Sequence, residues 1–440
     1  MEEPRLGSKH FSNNLPNQKL NLREYNHWLG SQEQPLNLKH KAKPMHCDLA
    51  IIGGGYTGCS AALEAANKGA DVILLEANCI GFGGSGRNVG LVNAGLWLSP
   101  KEIEKTLGEL KADRLIKALS QAPKQVFDII KKYNIKCDLT QTGTLHCAHN
   151  NKGFKELEKR YVQLKDINTP VELLDQQTTS KLIGSTVFFG SLLDRRAGTI
   201  QPLSYCRGLA RAALLEGAKI YENQKVHRIF KENNIWKIYT KSCHFSAEKL
   251  LVCTNAYAGQ LRGIKEYKTS QISYFQAVSN KIPQKIWKKI LPEGQGCWDT
   301  APIMTSFRKT SDQRLIIGGM GNAGGIGQKI HHSWAKRKIK TLFPHLAELK
   351  LQHYWQGQIA MSNSYIPKIV EIDQNCYQIF GFSGRGIGPG TLLGKNLASS
   401  LIKKDCTELP LDIENGYIEP FRPLKTAIYE LAAKTYHFLN

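Results

Sequence analysis

Asp48-Leu-Ala-Ile-Ile-Gly-Gly-Gly-Tyr-Thr-Gly58, then the small-residue run 59–66, then Asp71-Val-Ile-Leu-Leu-Glu76, is the stretch that decides the fold. The apolar, β-branched run 49–52 suits a strand buried on both faces of a parallel sheet. Gly53, Gly55 and Gly58 follow it at the spacing G-x-G-x-x-G. The first glycine permits a tight turn, the second lets the backbone approach a pyrophosphate, and the third lets a helix lie close to the strand. Tyr56 and Thr57 fall in the first turn of that helix, whose free N–H groups face an anion. Ser60, Ala61, Ala62, Ala65 and Ala66 keep the helix slim, and Gly69 ends it. Glu76, followed by Ala77, closes the second strand 72–75, where the dinucleotide fingerprint places an acid about 20 residues on. A carboxylate there accepts hydrogen bonds from a ribose diol and repels a 2′-phosphate, which argues against NADP.

The segment 77–95 is too rich in glycine for the next crossover helix of an NAD domain. Such a loop offers backbone N–H groups around Gly84 and Gly86 to a second part of a large cofactor, with Ser85, Arg87 and Asn88 as side-chain donors. Gly-Gly-Gly-Tyr-Thr-Gly, the closing Glu76 and Gly-Phe-Gly-Gly-Ser-Gly-Arg-Asn88 together resemble the FAD-dependent oxidoreductases of the D-amino-acid oxidase and glycine oxidase superfamily. Within it the likeness is to the gamma-glutamylputrescine oxidase branch. The resemblance spans roughly 46–400. It implies an α/β fold in which a Rossmann-like FAD-binding domain of glutathione-reductase type carries an antiparallel-sheet substrate domain, as in D-amino-acid oxidase. FAD held without a covalent bond is the expectation, since no cysteine lies between Cys297 and Cys376, where a sarcosine-oxidase type of attachment would be sought.

Composition bounds the remainder. The chain of 440 residues is long enough for two domains and a large core. It has no run of roughly 18 apolar residues able to span a bilayer, and its first 45 residues lack the apolar centre of a signal peptide. A cytoplasmic protein is expected. Its 11 cysteines are scattered without the paired spacings of a zinc site, and Cys59, Cys147 and Cys253 read as core residues, so no metal is expected. His146 and His149, three apart on a strand, point to opposite faces and read as ordinary polar residues. The net charge of +22 raises an acidic partner, but the lysine-rich stretches 281–289 and 329–340 read as solvated faces of amphipathic helices, so nucleic acid is not the expected partner.

Along the chain, 1–45 reads as a surface arm with Tyr25 and Trp28 as anchors. The FAD-binding domain is expected in three pieces, 46–100, 196–265 and 356–400, and the substrate domain in two, 101–195 and 266–355, with 401–440 as a tail. The pattern in 101–133 predicts two helices broken near Pro123. The resemblance places Val226 at the adenine and Thr254 and Asn255 beside the pyrophosphate. A second glycine loop, Gly381-Phe-Ser-Gly-Arg-Gly-Ile-Gly-Pro-Gly390, runs into a helix from about 390 and repeats the anion-cradle geometry. By resemblance, Gly384, Arg385, Gly386, Ile387 and Gly388 hold the pyrimidine edge of the flavin. Relatives often carry histidine where this chain has Arg385, and an arginine serves the same electrostatic role.

The resemblance implies oxidation of the CH–NH bond of a small amine or amino or imino acid, such as gamma-glutamylputrescine or pipecolate, with oxygen or a quinone as final acceptor. Candidates facing the substrate are Tyr274 and Gln276 on one strand, Arg308 on another as a fork for a carboxylate, and Arg385. Two other classes remain open: a flavoprotein that demodifies a tRNA wobble base, and a flavin-binding protein without turnover.

Overall fold

The computed structural model describes residues 26–38 and 41–440. In chain order the first strands are β1 (Met45–Ile52), β2 (Val72–Leu75), β3 (Leu91–Val92), β4 (Thr144–Cys147), β5 (Val171–Leu174), β6 (Ser191–Asp194) and β7 (Gly198–Thr199). There follow β8 (Lys219–Tyr221), β9 (Val226–Glu232), β10 (Ile235–Thr240), β11 (His244–Val252), β12 (Ser270–Ser279) and β13 (Gly296–Asp299). The last are β14 (Thr305–Lys309), β15 (Leu315–Met320), β16 (Leu351–Met361), β17 (Lys368–Asp373), β18 (Cys376–Phe380) and β19 (Ile413–Glu414).

One sheet runs β19-β17-β18-β11-β1-β2-β8, with the β9–β10 hairpin added on β11. β1 lies in its middle, parallel to β11 on one side and β2 on the other. Leu49, Ala50 and Ile51 are therefore fully buried, as a continuous apolar run on a two-faced parallel strand requires. The second sheet runs β16-β12-β15-β14-β13-β4-β6-β5. It is antiparallel except where β13 pairs parallel with β4. That pair joins the chain's two separate visits to this sheet.

Several boundaries differ from the sequence pattern. The break in 101–133 falls at Gly108 (φ 77°), between helices Pro100–Leu107 and Glu109–Lys132, and Pro123 is carried inside the second helix. Glycine at positive φ ends a helix at no steric cost, whereas proline in a long helix loses one hydrogen bond that buried packing offsets. The stretch 281–289 forms only the single turn Gln284–Trp287 after Pro283, not an amphipathic helix. β16 belongs to the second sheet along its whole length, so the chain returns to the first sheet after Met361 rather than at 356. Residues 401–440 are no tail: β19 joins the first sheet, and helix Arg422–Leu439 packs along β12. Tyr25 lies outside the described residues. Trp28 is buried, its indole N–H donating to the Asn88 carbonyl at 2.9 Å and its ring edge-on to Trp355.

The terminal helix covers β12 where β15 has ended. Thr426 Oγ1 accepts the Gln271 N–H at 3.1 Å and Glu430 accepts the Ser273 N–H at 3.0 Å, so this stretch of strand is not left as an open edge. In its last turn His437 packs on Trp334, with its Nδ1 2.8 Å from that of His331. One ring must donate and the other accept, so the two cannot both be cationic. Burial lowers the pKa of His331 to about 4 and that of His437 to about 3; Lys434, Lys338 and Arg337 push the same way, and Glu430 opposes them at His331. An unfolded histidine titrates near 6.5. As pH falls from about 6.5 toward about 4, the unfolded chain takes up protons that the native pair refuses, and stability is lost over that window. At pH 5 the loss amounts to up to about 2 kcal/mol per ring. Melting curves at pH 7 and pH 5 should show this fall, and His437→Leu should flatten it.

Candidate active site

The turn after β1 needs its glycines for distinct reasons. Gly53 has φ 110°, and a Cβ there would lie 2.8 Å from the Cys253 carbonyl oxygen. At Gly58 a Cβ would lie 2.0 Å from the Gly53 oxygen, which is the close helix–strand approach the spacing implies. Gly55 begins helix Tyr56–Asn67 without a side-chain cap. Glu76 accepts the Gly54 N–H at 2.7 Å and the Asn78 N–H at 2.9 Å, so it braces the turn as well as facing the cavity. Burial pushes its pKa up, and nearby Glu222 adds to this.

The glycine loop that follows is braced from within. The Asn88 amide donates to Tyr56 Oη at 3.0 Å and to the Gly84 and Ser85 carbonyls, and its oxygen accepts the Gly90 N–H at 2.8 Å. Its hydrogen-bonding capacity is thus used inside the loop. Arg87 donates from Nε to the Phe82 carbonyl at 2.7 Å and lies over the Phe82 ring. Ser85 Oγ accepts the Tyr56 N–H at 3.1 Å. Gly86 does not reach the cavity; a Cβ there would strike the Gly81 carbonyl oxygen at 2.2 Å.

A cavity of about 850 Å³ runs from this turn to the second glycine loop. Gly53, Gly55, Tyr56, Thr57, Glu76, Ala77, Val226, Thr254, Asn255, Gly84, Ser85, Arg87, Asn88, Gly384, Arg385, Gly386, Ile387 and Gly388 line it. Asn255 Oδ1 accepts the Gly381 N–H at 3.0 Å and so ties the two loops together. Burial raises the pKa of Glu266, and the buried Thr254 hydroxyl beside it opposes the rise. The second helix is Ile387–Lys403, starting three residues before the expected position because Pro389 sits in its first turn, where its missing N–H costs nothing.

On the second glycine loop, Arg385 Nη1 donates to the Ala94 carbonyl at 3.1 Å. The guanidinium lies 4.6 Å from the Trp97 ring and 4.7 Å from the Trp298 ring, while Nε and Nη2 are buried with no partner among the described residues. Burial and the neighbouring Arg160 push its pKa down to about 9 while Asp194 opposes them, so it stays cationic at neutral pH without a direct ion pair among the described residues. Arg160 donates to the carbonyls of Leu96, Trp97 and Leu98 and so fixes the Trp97 segment. His146 also lines the cavity, stacked 3.3 Å from Trp298 and held neutral by burial, Arg160 and Arg385; it is not the ordinary polar residue its spacing suggests.

Tyr274 reaches the cavity, its hydroxyl paired with that of Ser306 and its pKa pushed up to about 12 by burial. Gln276 is fully buried and does not line it. Arg308 is a correction. Its Nη1 donates to the Ile200 carbonyl at 2.5 Å, its Nε to the Lys309 carbonyl at 3.0 Å, and its guanidinium lies by the Trp28 ring, away from the cavity. A basic residue in a strand does not announce which face it takes once the strand is buried on both.

The Gly53 turn, the buried cation of Arg385 and the volume of the cavity fit a dinucleotide that ends in an electron-poor ring. A family model described as FAD dependent oxidoreductase matches residues 48–400. The chain belongs to this FAD-dependent oxidoreductase family. Like the family, it binds FAD. It is 30% identical to gamma-glutamylputrescine oxidoreductase of Escherichia coli, over 81% of this chain and 83% of that one. Among solved structures it resembles L-proline dehydrogenase from P. horikoshii, with TM-score 0.68 and 19% identity over 83% of this chain and 97% of that one. It also resembles the FAD-bound L-alpha-glycerophosphate oxidase from Mycoplasma pneumoniae, with TM-score 0.66 and 17% identity over 85% of this chain and all of that one. Those identities carry the fold of the family and not a substrate. Trp97, Trp298 and His146 are the wall residues the motifs missed. Trp97 stands just beyond the first glycine loop, a signal that could have found it, whereas Trp298 and His146 come together only through the β13–β4 pairing.

Proposed function

We propose that the protein oxidises the CH–NH bond of an amine or amino or imino acid that bears a carboxylate. The observation that carries this is Arg385, a buried guanidinium on the cavity wall whose Nε and Nη2 find no acceptor among the described residues, since a buried charge calls for a counter-ion. A carboxylate on the substrate supplies it as a fork. Gamma-glutamylputrescine, the substrate named for the E. coli relative, carries such a group, and so do pipecolate and proline.

FAD, when bound, supplies the acceptor for the hydride that leaves the carbon beside nitrogen. The chain holds it through the Gly53 turn, Glu76, Thr254 and the second glycine loop, without a covalent bond. Tyr274 keeps its proton at neutral pH and orients the amine as a hydrogen-bonding group. Arg385 and Arg160 disfavour a second positive charge nearby, so the amine enters with its lone pair free. Trp97, Trp298 and Met304 exclude water from the reacting bond.

An anaerobic titration tests this, following the visible band of the purified flavoprotein with gamma-glutamylputrescine against putrescine, and pipecolate against piperidine. The carboxylated member of a pair should bleach the band and its partner should not. Equal bleaching would remove the role given to Arg385, and no bleaching by any amine would move weight to the tRNA or non-catalytic alternatives. Readmitting air after bleaching separates oxygen from a quinone as acceptor.

A further inference from the structure

Helix Arg422–Leu439 is inside out. It turns Thr426, Glu430, Ala433 and His437 toward β12 and helix Ile326–Leu342, and it presents apolar side chains to solvent. Leu424, Ile428, Leu431 and Phe438 lie on that outer face, which Phe421 begins; Ile428 is 56% exposed, Leu431 66% and Phe438 72%. Their spacing follows the helical period, so they form one stripe rather than scattered exceptions. Seven of the fourteen large apolar side chains exposed among the described residues lie between 418 and 439. A concentration of this kind marks an interaction surface.

Charge selects the partner. Helix Ile326–Leu342, packed against the inner side of the terminal helix, has no carboxylate and exposes Lys329, Lys336, Arg337 and Lys340, while its Lys338 is paired with buried Asp299. Arg337 donates to the His437 carbonyl at 2.6 Å, which ties this basic helix to the last turn of the terminal helix. The two acids near the start and middle of the terminal helix are turned inward: Glu419 pairs with Lys425, and Glu430 holds the β12 backbone. The surroundings of the stripe are thus basic, in a chain of net charge +22. A second copy docked through the same face would set the two basic helices against each other. A surface of anionic lipid headgroups satisfies both the stripe and its cations.

We propose that this face docks on an anionic bilayer, with helix Arg422–Leu439 lying in the headgroup plane and the cations of Ile326–Leu342 on the phosphates. The helix does not span: among the described residues no helix is long and apolar enough to cross a membrane. Tyr429, on the inner side of the same helix, lines the cavity with its hydroxyl 3.3 Å from that of Tyr365, so the lipid-docked face adjoins the active site.

Co-sedimentation of the full FAD-loaded chain tests the proposal, using vesicles of phosphatidylcholine alone or mixed with phosphatidylglycerol, at low and high salt. Binding is expected to the mixed vesicles and to weaken with salt. Lys336→Glu with Lys340→Glu should reduce it by at least about tenfold. Ile428→Asp with Leu431→Asp should abolish it while flavin content and melting temperature hold, and Val162→Asp, at an exposed apolar residue of another helix, should leave it unchanged. Absence of binding to the mixed vesicles at low salt overturns the proposal. So does binding that survives the double aspartate variant. A dimer seen by sedimentation velocity that the same variant dissociates, in protein that ignores vesicles, would assign the face to a second copy instead.

Discussion

An Arg385→Leu protein is expected to retain its FAD and to lose at least about a hundredfold in the rate of flavin reduction by a carboxylated amine at fixed concentration, the scale on which removal of one fixed charged donor acts. The cofactor should stay because the cradle is built elsewhere, from the Gly53 turn, Glu76 and Thr254, and because Ile387–Lys403 begins after Arg385. The substrate should suffer because Nε and Nη2 have no partner among the described residues, and leucine removes the cation that offsets a buried carboxylate. If Arg385 serves the substrate, the dissociation constant for the carboxylated amine rises sharply while the flavin midpoint potential stays in place. Discrimination against the decarboxylated analogue should vanish in the same variant. If Arg385 serves the flavin ring instead, the potential falls and substrate affinity is unchanged. Arg385→Lys discriminates further: it keeps a charge between Trp97 and Trp298 but not the fork, so partial recovery of affinity is the expected result. Stopped-flow reduction at varied substrate, with a potential measured on the same preparation, reads both quantities.

The cofactor end of this site was legible because its chemistry is local. Gly53, Gly55, Gly58 and Glu76 lie within one strand–turn–helix–strand unit, and each residue's task follows from backbone geometry that any chain must obey. The wall around Arg385 was not, because it is assembled by long-range pairing. His146 reaches Trp298 through β4 and β13, and Trp97 reaches Arg385 from the far side of the first loop. Arg308 shows the same limit in reverse: alternation in a strand assigns two faces, but not which of them meets the cavity and which meets the arm held by Trp28. The terminal helix escaped for another reason. Its apolar pattern reads as a core-facing helix or a loose tail, and only its contacts show that polar residues face the protein.

Two glycines at the second motif carry the other large effect. Gly390 and Gly394 both lie inside helix Ile387–Lys403, where glycine is a poor helix former. At Gly394 a Cβ would stand 2.3 Å from the Thr57 carbonyl oxygen, and at Gly390 3.0 Å from Thr57 Oγ1. The helix crosses Tyr56–Asn67 almost backbone to backbone, a contact also closed by the Ser60 hydroxyl donating to the Thr391 carbonyl at 2.7 Å. Helix propensity alone makes Gly394→Ala stabilising by about 1 kcal/mol. Overpacking costs about 1–3 kcal/mol and occasionally more; here the obstacle is a backbone oxygen that no rotamer change removes, so the upper end applies. The expected sign is therefore negative, a net loss of about 2 kcal/mol. FAD occupancy should fall with it, because both helix N-termini line the cavity and a shift between them moves one half of the cradle against the other. Loss of a bound ligand then lowers the melting temperature further by mass action. Lys395→Ala, one residue on and half-exposed, should change neither quantity much. A Gly394→Ala protein with raised melting temperature and full flavin content would show that the two helices do not need their close approach, and the cradle would then rest on its loops alone.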